Sequence, residues 1–172
     1  MLFNYLTFIL FLPIAFLVYW SLKSRLRVQN FWLLFISYVF YGWWDWRFLS
    51  LILASTFLDF LVAKKLERAH KKKSRRLLLI LSLTFNLGLL ATFKYFNFFI
   101  DSLNDLLGIE GDNQFSTLNL ILPVGISFYT FQTLSYTIDV FKKKLKPTHD
   151  FIEFAGYVSF FPQLVAGPIE RA

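Results

Sequence analysis

The chain has 172 residues, of which 56% are hydrophobic and 21% aromatic; it has 23 Phe, no Cys and a formal net charge of +7. A soluble domain of this length has too little interior to bury so much apolar surface, so these proportions favour an integral membrane protein. The lack of Cys excludes disulfides, thiolate metal sites and acylation of Cys within this sequence.

The first predicted element is an uncharged apolar helix. Met1–Leu22 carries no charged side chain, and a helix of this length rises about 33 Å, enough to cross a hydrocarbon core about 30 Å thick. No Lys or Arg precedes the apolar run and no small-residue cleavage site follows it, so we expect Leu2–Leu22 to be a retained span rather than a secretory signal. Pro13 is expected to kink it.

Five more apolar runs follow in chain order. They are Val28–Trp44, Phe48–Ala63 (interrupted by Asp59), Leu77–Ile100 (interrupted by Lys94), Asn113–Ile138 and Phe154–Ile169. We expect Lys94 to reach the outer interface and Asp59 the inner interface, because a charged side chain near the end of a span extends to the headgroups.

Charged residues separate these runs in an alternating pattern. Three connections are basic, Lys23–Arg27, Lys64–Arg76 and Lys142–Lys146, whereas Asp101–Asn119 has four acidic residues and no Lys or Arg. Basic connections stay cytoplasmic during insertion. An even number of crossings must therefore separate each pair of them.

This rule predicts about five crossings with the amino terminus outside. Val28–Ala63 crosses twice with a turn near Asp45, Leu77–Ile100 leads outward, and the segment after Leu120 returns. Aromatic residues that favour the membrane–water interface flank both proposed outer ends, namely Tyr41, Trp43, Trp44, Trp46, Phe93, Tyr95, Phe96, Phe98 and Phe99.

The basic run Lys64–Arg76 has two further interpretations. In a soluble protein it would indicate a nucleic-acid or nuclear-localisation patch, and an acidic cytosolic partner could also dock there. Because it lies between two spans, we interpret it as a cytoplasmic loop that touches anionic lipid, and we expect no nucleic-acid partner. No Gly-rich phosphate loop, zinc-ligand spacing or Ser-His-Asp arrangement occurs in the sequence, so we expect no metal and no bound cofactor.

A polar stripe marks the fifth span. Gln132, Ser135, Tyr136 and Asp139 are spaced i, i+3, i+4 and i+7, which places them on one face of a helix. Pro123 could begin that helix. The stripe faces the protein interior in either of two interpretations: hydrogen bonds between helices, or the lining of a substrate path.

The last apolar run is unusual for a simple span. Pro162, Gly167 and Pro168 break the helical ladder within seven residues, and the freed backbone groups need protein or a wet cavity as partners. The run therefore predicts a re-entrant or broken helix beside a cavity.

The sequence contains five motif-like segments, Tyr41–Asp45, Phe93–Phe99, Leu122–Gln132, Ser135–Val140 and Phe160–Arg171. Together they resemble the membrane-bound O-acyltransferases, in the bacterial branch that includes the alginate O-acetylation and teichoic acid D-alanyl transfer proteins. The last three of the segments are the specific ones.

The resemblance implies an all-α, multi-pass fold that is an incomplete, amino-terminal portion of the family's helical ring. It implies transfer of an acyl group, with acetyl expected, to hydroxyls of an extracellular polysaccharide. The donor would come from the cytoplasmic side as acyl-CoA or an acyl carrier protein. Further implied partners are membrane lipids, the polysaccharide acceptor and periplasmic acetylation proteins, and the implied location is the cell membrane.

The family's catalytic His is expected beyond Ala172, so we assign no catalytic residue here and expect residues 1–172 alone to be inactive. His70 and His149 do not match its position. We predict that a substrate path involves Lys94, Asn97, Gln132, Ser135, Tyr136, Asp139, Gln163 and Arg171. A multi-pass transporter, which broken helices also build, and a non-catalytic membrane scaffold remain as alternatives.

Overall fold

The computed structural model describes residues 6–108 and 123–166, and the described parts are entirely helical. The α-helices are α1 (Leu6–Ser21), α2 (Leu26–Asp45), α3 (Leu49–Arg68), α4 (Lys72–Leu90), α5 (Phe96–Leu107), α6 (Ile126–Phe141), α7 (Phe151–Val158) and α8 (Phe161–Ala166). The all-α fold class predicted from the sequence is confirmed.

Asp45 ends α2 and starts a short turn into α3. Its backbone is extended, with φ −159° and ψ 111°, and one turn of 3₁₀ helix, Trp46–Phe48, follows. The Asp45 carboxylate accepts hydrogen bonds from the Arg47 amide at 3.0 Å and from the Arg47 guanidinium at 2.7–3.1 Å. A helix boundary therefore lies at Asp45, where the sequence predicts a turn, and the Asp45–Arg47 pairing stabilises it locally.

The next helices form one long rod with a local defect. α4 continues through a π-helical turn, Ala91–Tyr95, into α5. The whole segment Lys72–Leu107 has 36 residues and rises about 54 Å, more than a hydrocarbon core requires. A π turn within a helix marks an inserted residue, and such turns are frequent at functional sites.

The core lies where α3, α4 and α6 pack together and where α7 lies against α2 and α3. Aromatic rings carry much of this packing: the Phe154 ring lies 4.6 Å from the Tyr136 ring and 6.1 Å from the Phe60 ring, centroid to centroid. A second cluster joins α1, α2 and α8 through Phe11, Phe40 and Phe161.

All three basic connections lie at one end of the bundle. The Arg75 guanidinium, in the first turn of α4, donates to the carbonyl of Leu66 in the last turn of α3 and to that of Phe141, at 2.6 Å, at the end of α6. His149 lies 3.3 Å from Glu67, and Arg27 lies 3.9 Å from Asp150. The contacts bring the 23–27, 64–76 and 142–150 segments together, an arrangement that one cytoplasmic face requires.

By length and composition, two helices can cross a membrane, Trp46–Arg68 and Lys72–Leu107; Phe8–Ser21 is a shorter apolar helix. Several apolar helices fit a membrane location. The five crossings predicted from the sequence are not shown by this criterion and stay a prediction.

Three local expectations are wrong. Asp59 does not reach the inner interface, because it is fully buried between α3, α4 and α6. Tyr41 is no half-solvated interface ring: it is 4% exposed and donates a 2.8 Å hydrogen bond to the Val124 carbonyl. Pro123 does not begin α6, which starts at Ile126 after Gly125 with φ 76°.

Candidate functional site

The last apolar run is broken, as predicted, and the break lies directly before Pro162. α7 ends at Val158 and α8 begins at Phe161, so the break falls at Ser159 and Phe160. Pro162 lies in the first turn of α8, where a missing N–H costs no helical hydrogen bond. The Phe161 amide donates instead to Ser37 Oγ of α2 at 3.3 Å. Gly167, Pro168 and Arg171 lie outside the described residues.

Gln132 and Gln163, both predicted from the sequence, meet at this break. Gln132 is 1% exposed and projects from α6, and its Nε2 donates to the Tyr157 carbonyl at 2.9 Å and to Gln163 Oε1 at 3.3 Å. The amide thus satisfies a carbonyl near the end of α7 and holds the first turn of α8. Backbone freed by a broken helix receives a side-chain partner in this way.

A cavity of about 320 Å³ opens beside this pair, at the junction of α2, α7 and α8. Its lining combines one carboxylate, two amides and a phenol with aliphatic and aromatic surface. A concave site with a few polar groups among apolar side chains is typical of small-ligand binding. The lining residues are Asn30, Leu33, Glu153, Gly156, Tyr157, Phe160 and Gln163.

Of the other members of the predicted stripe, Tyr136 contacts the basic end of the bundle through its side chain. Tyr136 is buried, and its hydroxyl accepts a 3.0 Å hydrogen bond from the Thr148 amide in the 142–150 connection. Ser135 is half-buried and donates to the Gln132 carbonyl at 2.9 Å. Asp139 is half-buried, and its carbonyl accepts from the Lys144 amide at 2.9 Å. These three residues do not line the 320 Å³ cavity.

Lys94 and Asn97 occupy the π turn and the start of α5. Lys94 is exposed, and its Nζ lies 3.0 Å from Ser127 Oγ in the first turn of α6 and 5.4 Å from the centre of the Tyr95 ring. Asn97 is half-buried on α5. The structure therefore connects Lys94 to α6 but does not bring it to the Gln132–Gln163 pair.

A buried polar cluster that was not predicted from the sequence lies between α3, α4 and α6. We call it the Asp59 cluster, and its members are Asp59, Ser55, Ser82, Asn86, Thr133 and Thr137. All six are 0% exposed. Asp59 accepts from Ser82 Oγ and, at 2.8 Å, from Asn86 Nδ2, while Ser55 Oγ donates to Asn86 Oδ1. Each of the three helices contributes two polar residues spaced i, i+4 within an apolar run, at positions 55/59, 82/86 and 133/137. This spacing is the feature of the sequence that could have indicated the cluster.

Within residues 6–108 and 123–166, no three His, Asp or Glu side chains gather as a metal site. His70 is exposed, and His149 pairs with Glu67 at the basic end. Neither histidine lines the cavity beside Gln163.

The chain is homologous to bacterial O-acetyltransferases over nearly its whole length. It is 40% identical to the probable alginate O-acetylase AlgI of Pseudomonas aeruginosa, with 94% of this chain aligned to 31% of that protein. The protein of the same name from Azotobacter vinelandii is 39% identical, with 94% of this chain aligned to 32% of the relative. The peptidoglycan O-acetyltransferase of Helicobacter pylori is 36% identical, with 98% of this chain aligned to 37% of it.

No family model and no solved structure matches the chain. The relatives nevertheless confirm the resemblance to the membrane-bound O-acyltransferases that the sequence motifs indicate, and specifically to alginate and peptidoglycan O-acetylating proteins. The chain spans about a third of the length of these relatives.

Proposed function

We propose that this chain forms part of a membrane enzyme that transfers an acetyl group to hydroxyls of an extracellular polysaccharide. The observation that carries the proposal is 36–40% identity to O-acetylating proteins over at least 94% of the chain. The donor would be a thioester, acyl-CoA or an acyl carrier protein, delivered at the basic end. Membrane lipids, the polysaccharide and periplasmic acetylation proteins are the proposed partners.

Transfer of an acetyl group from a thioester to a hydroxyl requires a group that accepts the proton of the hydroxyl. A hydroxyl oxygen attacks the thioester carbonyl, the C–S bond breaks, and the proton of the hydroxyl passes through a base to the departing sulfur. An imidazole with a pKa near neutrality suits that base. We propose that neither His70 nor His149 fills this role, because neither lines the cavity beside the break between α7 and α8. This part of the enzyme would shape the path rather than move the proton.

Among the residues proposed for the path, the Gln132–Gln163 pair has the strongest structural support. The pair is buried on the α6 side, opens on the cavity, and lies where a broken helix leaves polar backbone to be satisfied. An amide pair there can donate to and accept from a hydroxyl or a carbonyl of a passing substrate. Lys94, Asn97, Ser135, Tyr136, Asp139 and Arg171 remain candidates for other stretches of the same path.

Turnover of the intact enzyme tests this proposal. We expect Gln132→Leu and Gln163→Leu to lower acetyl transfer by more than about tenfold while protein amount and melting temperature stay near wild type. Hydrogen bonds between membrane helices contribute on average only about 0.6 kcal/mol to stability, so a purely structural role would leave turnover nearly unchanged. The same assay on Asp139→Asn, which keeps the shape of the side chain, tests whether the path includes the basic end of α6.

Gln29→Leu is the matched control. Gln29 is also a buried Gln, 7% exposed, whose Nε2 donates to the Tyr19 carbonyl between α1 and α2, outside the cavity. We expect it to transfer acetyl normally. Normal turnover in both the Gln132 and Gln163 variants, or an equal loss in the Gln29 variant, would contradict the proposed path.

We also propose the topology in which the basic end is cytoplasmic, the amino terminus is outside, and about five crossings occur. The gathering of the three basic connections supports it. Lys71 and Asp105 are exposed near opposite ends of the long Lys72–Leu107 helix. Because the sequence has no Cys, single Cys substitutions can be labelled cleanly: a membrane-impermeant thiol reagent on intact cells should modify position 105 and spare position 71. The reverse result would invert the topology.

A further inference from the structure

A second cavity lies between α1, α2 and α8, on the other side of the break between α7 and α8. It has a volume of about 340 Å³ and shares Leu33 and Phe160 with the cavity beside Gln163. The path proposed above does not use it. We call it the α1 groove, and its lining residues are Leu12, Ala15, Phe16, Tyr19, Trp20, Leu33, Ile36, Phe160, Phe161 and Pro162.

The lining of the α1 groove is apolar along most of its length. Of its lining residues, Tyr19 and Trp20 alone carry a polar side-chain atom, and both lie in the last turn of α1. Water finds few hydrogen-bond partners in such a space, so the groove favours an apolar occupant. Leu12 and Trp20 are eight residues apart, so the groove runs about 12 Å along α1. This length is close to the depth of one leaflet, about half of a hydrocarbon core that is about 30 Å thick.

Two side chains of α2 hold α1 in place along the groove. Trp32 Nε1 donates to the Ala15 carbonyl at 3.1 Å, and Gln29 Nε2 donates to the Tyr19 carbonyl at 3.2 Å. Both acceptors belong to residues that line the groove. The groove is therefore preformed by fixed helices, as ligand sites usually are.

Positive charge without an acidic partner lies where the groove meets the basic end of the bundle. Lys23 follows Trp20 by three residues, and its amide donates to the Trp20 carbonyl at 3.3 Å. Lys23 and Arg25 are exposed, and no ion pair among the described residues includes either of them, whereas Arg27 lies 3.9 Å from Asp150. A Trp belongs at the level of the lipid headgroups, and basic pockets between membrane helices bind anionic headgroups there.

We propose that the α1 groove binds an anionic phospholipid, with an acyl chain between α1 and α8 and its phosphate at Lys23 and Arg25. The apolar lining holds the chain, and the positive charge selects the headgroup. Each Lys or Arg near a membrane surface favours anionic lipid about fivefold, so the two together should favour it about 30-fold over zwitterionic lipid. The chain packs against Phe160, Phe161 and Pro162 and thereby supports the break between α7 and α8.

Thermal unfolding of the intact protein in detergent measures this preference. The micelles are supplemented with phosphatidylglycerol or with phosphatidylcholine that has the same acyl chains, and the half-effect concentration is the one that gives half of the rise in melting temperature. A ligand that binds the folded state stabilises it by mass action. We expect the half-effect concentration of phosphatidylglycerol to be about one thirtieth of that of phosphatidylcholine. Equal half-effect concentrations overturn the proposal.

Two variants assign the preference to the charged end of the groove. Lys23→Gln and Arg25→Gln should each raise the half-effect concentration of phosphatidylglycerol about fivefold and leave that of phosphatidylcholine unchanged. Lys73→Gln is the matched control, because Lys73 is exposed on α4 and does not adjoin the groove lining in sequence. It should change neither value. An equal change in all three variants would show a general attraction to the basic end and contradict a site at the α1 groove.

A third variant tests the position of the acyl chain. Leu12→Trp places a larger ring in the space of the chain, and each CH₂ group that loses its apolar contacts lowers affinity about fourfold. Displacement of two such groups should raise the half-effect concentrations of both lipids more than about tenfold. Leu10→Trp, the same change at an exposed position of α1 outside the lining, is its control and should have no effect.

The remaining outcomes contradict the proposal. If Leu12→Trp leaves the effect of phosphatidylglycerol unchanged, the lipid binds elsewhere on the protein. If neither lipid stabilises the wild-type protein, another segment of the intact protein covers the groove.

Discussion

The two sides of α6 carry polar residues of similar kinds but in opposite settings. Toward α3 and α4, Thr133 and Thr137 face the sealed Asp59 cluster, in which six side chains are 0% exposed. Toward α7 and α8, Gln132 faces a half-buried Gln163 beside a cavity of about 320 Å³. One helix thus separates a closed polar interior from an open one.

The two settings differ in how they respond when one hydrogen-bonding side chain is removed. In the sealed cluster water cannot replace a lost partner, so each deleted group leaves another unsatisfied. In the open region a Gln that loses its neighbour can still bond to a backbone carbonyl or to water in the cavity. Polar residues on the closed side should therefore govern stability, and those on the open side should govern activity.

The largest expected effect comes from exchanging one amide on each side for an apolar residue of similar size. Asn86→Leu leaves the Ser55 hydroxyl without its acceptor and Asp59 without one donor. Because each unsatisfied buried group costs about 1–3 kcal/mol, we expect the free energy of unfolding to fall by roughly 3 kcal/mol. Gln163→Leu should lower it by less than about 1 kcal/mol, since Gln132 keeps its bond to the Tyr157 carbonyl.

Unfolding of both variants in mixed micelles, with the same denaturant series, gives the two free energies. Equal losses in the two variants would remove the distinction between a closed and an open region. A larger loss in Gln163→Leu would reverse it.

A second test concerns how the closed region is held at its basic end. Arg75 links the same three helices that surround Asp59, because its guanidinium donates to carbonyls at the ends of α3 and α6 and lies over the Phe141 ring. A positive charge at helix carboxyl ends is favourable, and each charge-assisted bond adds to it. We expect Arg75→Gln to lower the free energy of unfolding by about 2 kcal/mol.

The neighbouring Arg76→Gln supplies the control, because Arg76 is exposed and carries the same charge on the same turn. It should change the free energy of unfolding by less than about 0.5 kcal/mol. If the two variants lose the same amount, net charge at the basic end matters and the carbonyl contacts of Arg75 do not.

A third test probes the contact between α6 and α8 in the open region. Gly125 has φ 76°, and a Cβ added there would lie 2.8 Å from the Leu164 carbonyl oxygen. Gly108 has φ 61° but open space around its Cβ position. Gly108→Ala should therefore cost about 1 kcal/mol for the left-handed backbone alone, and Gly125→Ala about 2–3 kcal/mol because α8 must also shift.

Turnover separates this backbone effect from general instability. A displaced α8 carries Gln163 away from Gln132, so Gly125→Ala should lose acetyl transfer in the intact enzyme while Gly108→Ala retains it. Retained transfer in Gly125→Ala would show that the position of α8 does not set activity.

The sequence predicted one side of α6 and missed the other for a physical reason. Gln132, Tyr136 and Asp139 stand out in an apolar run because each carries a strongly polar group. Thr133 and Thr137 do not, since a Thr in a membrane helix can donate its hydroxyl hydrogen to a carbonyl of the preceding turn and is then tolerated among apolar residues. Only the packing of α3 and α4 against α6 shows that their hydroxyls face a carboxylate.

The two helix breaks also differ in how far they could be predicted from the sequence. The turn at Asp45 was predicted from the alternation of basic and acidic connections, and the pairing with Arg47 that stabilises it is local, between residues two positions apart. A break in the last apolar run was expected from Pro162, Gly167 and Pro168, and the break between α7 and α8 lies directly before Pro162, at Ser159 and Phe160. There the Phe161 amide bonds to Ser37 of α2, a contact between residues 124 positions apart, and no local pattern encodes such a partner.

The smallest expected effect is at the turn between α2 and α3, remote from both polar regions of α6. Hydrogen bonds from Arg47 hold the pKa of the Asp45 carboxyl below its ordinary value. A lowered pKa in the folded state means that the pairing stabilises the protein above the pKa of the unfolded carboxyl, about 3.9, and that this contribution is lost as the pH falls through the lower folded value. Asp45→Asn should therefore lower the melting temperature slightly at pH 7 and not at all below that window. Pairs near the surface contribute little, so a fall as large as that of Asn86→Leu would mean that the turn, rather than the closed interior, limits stability.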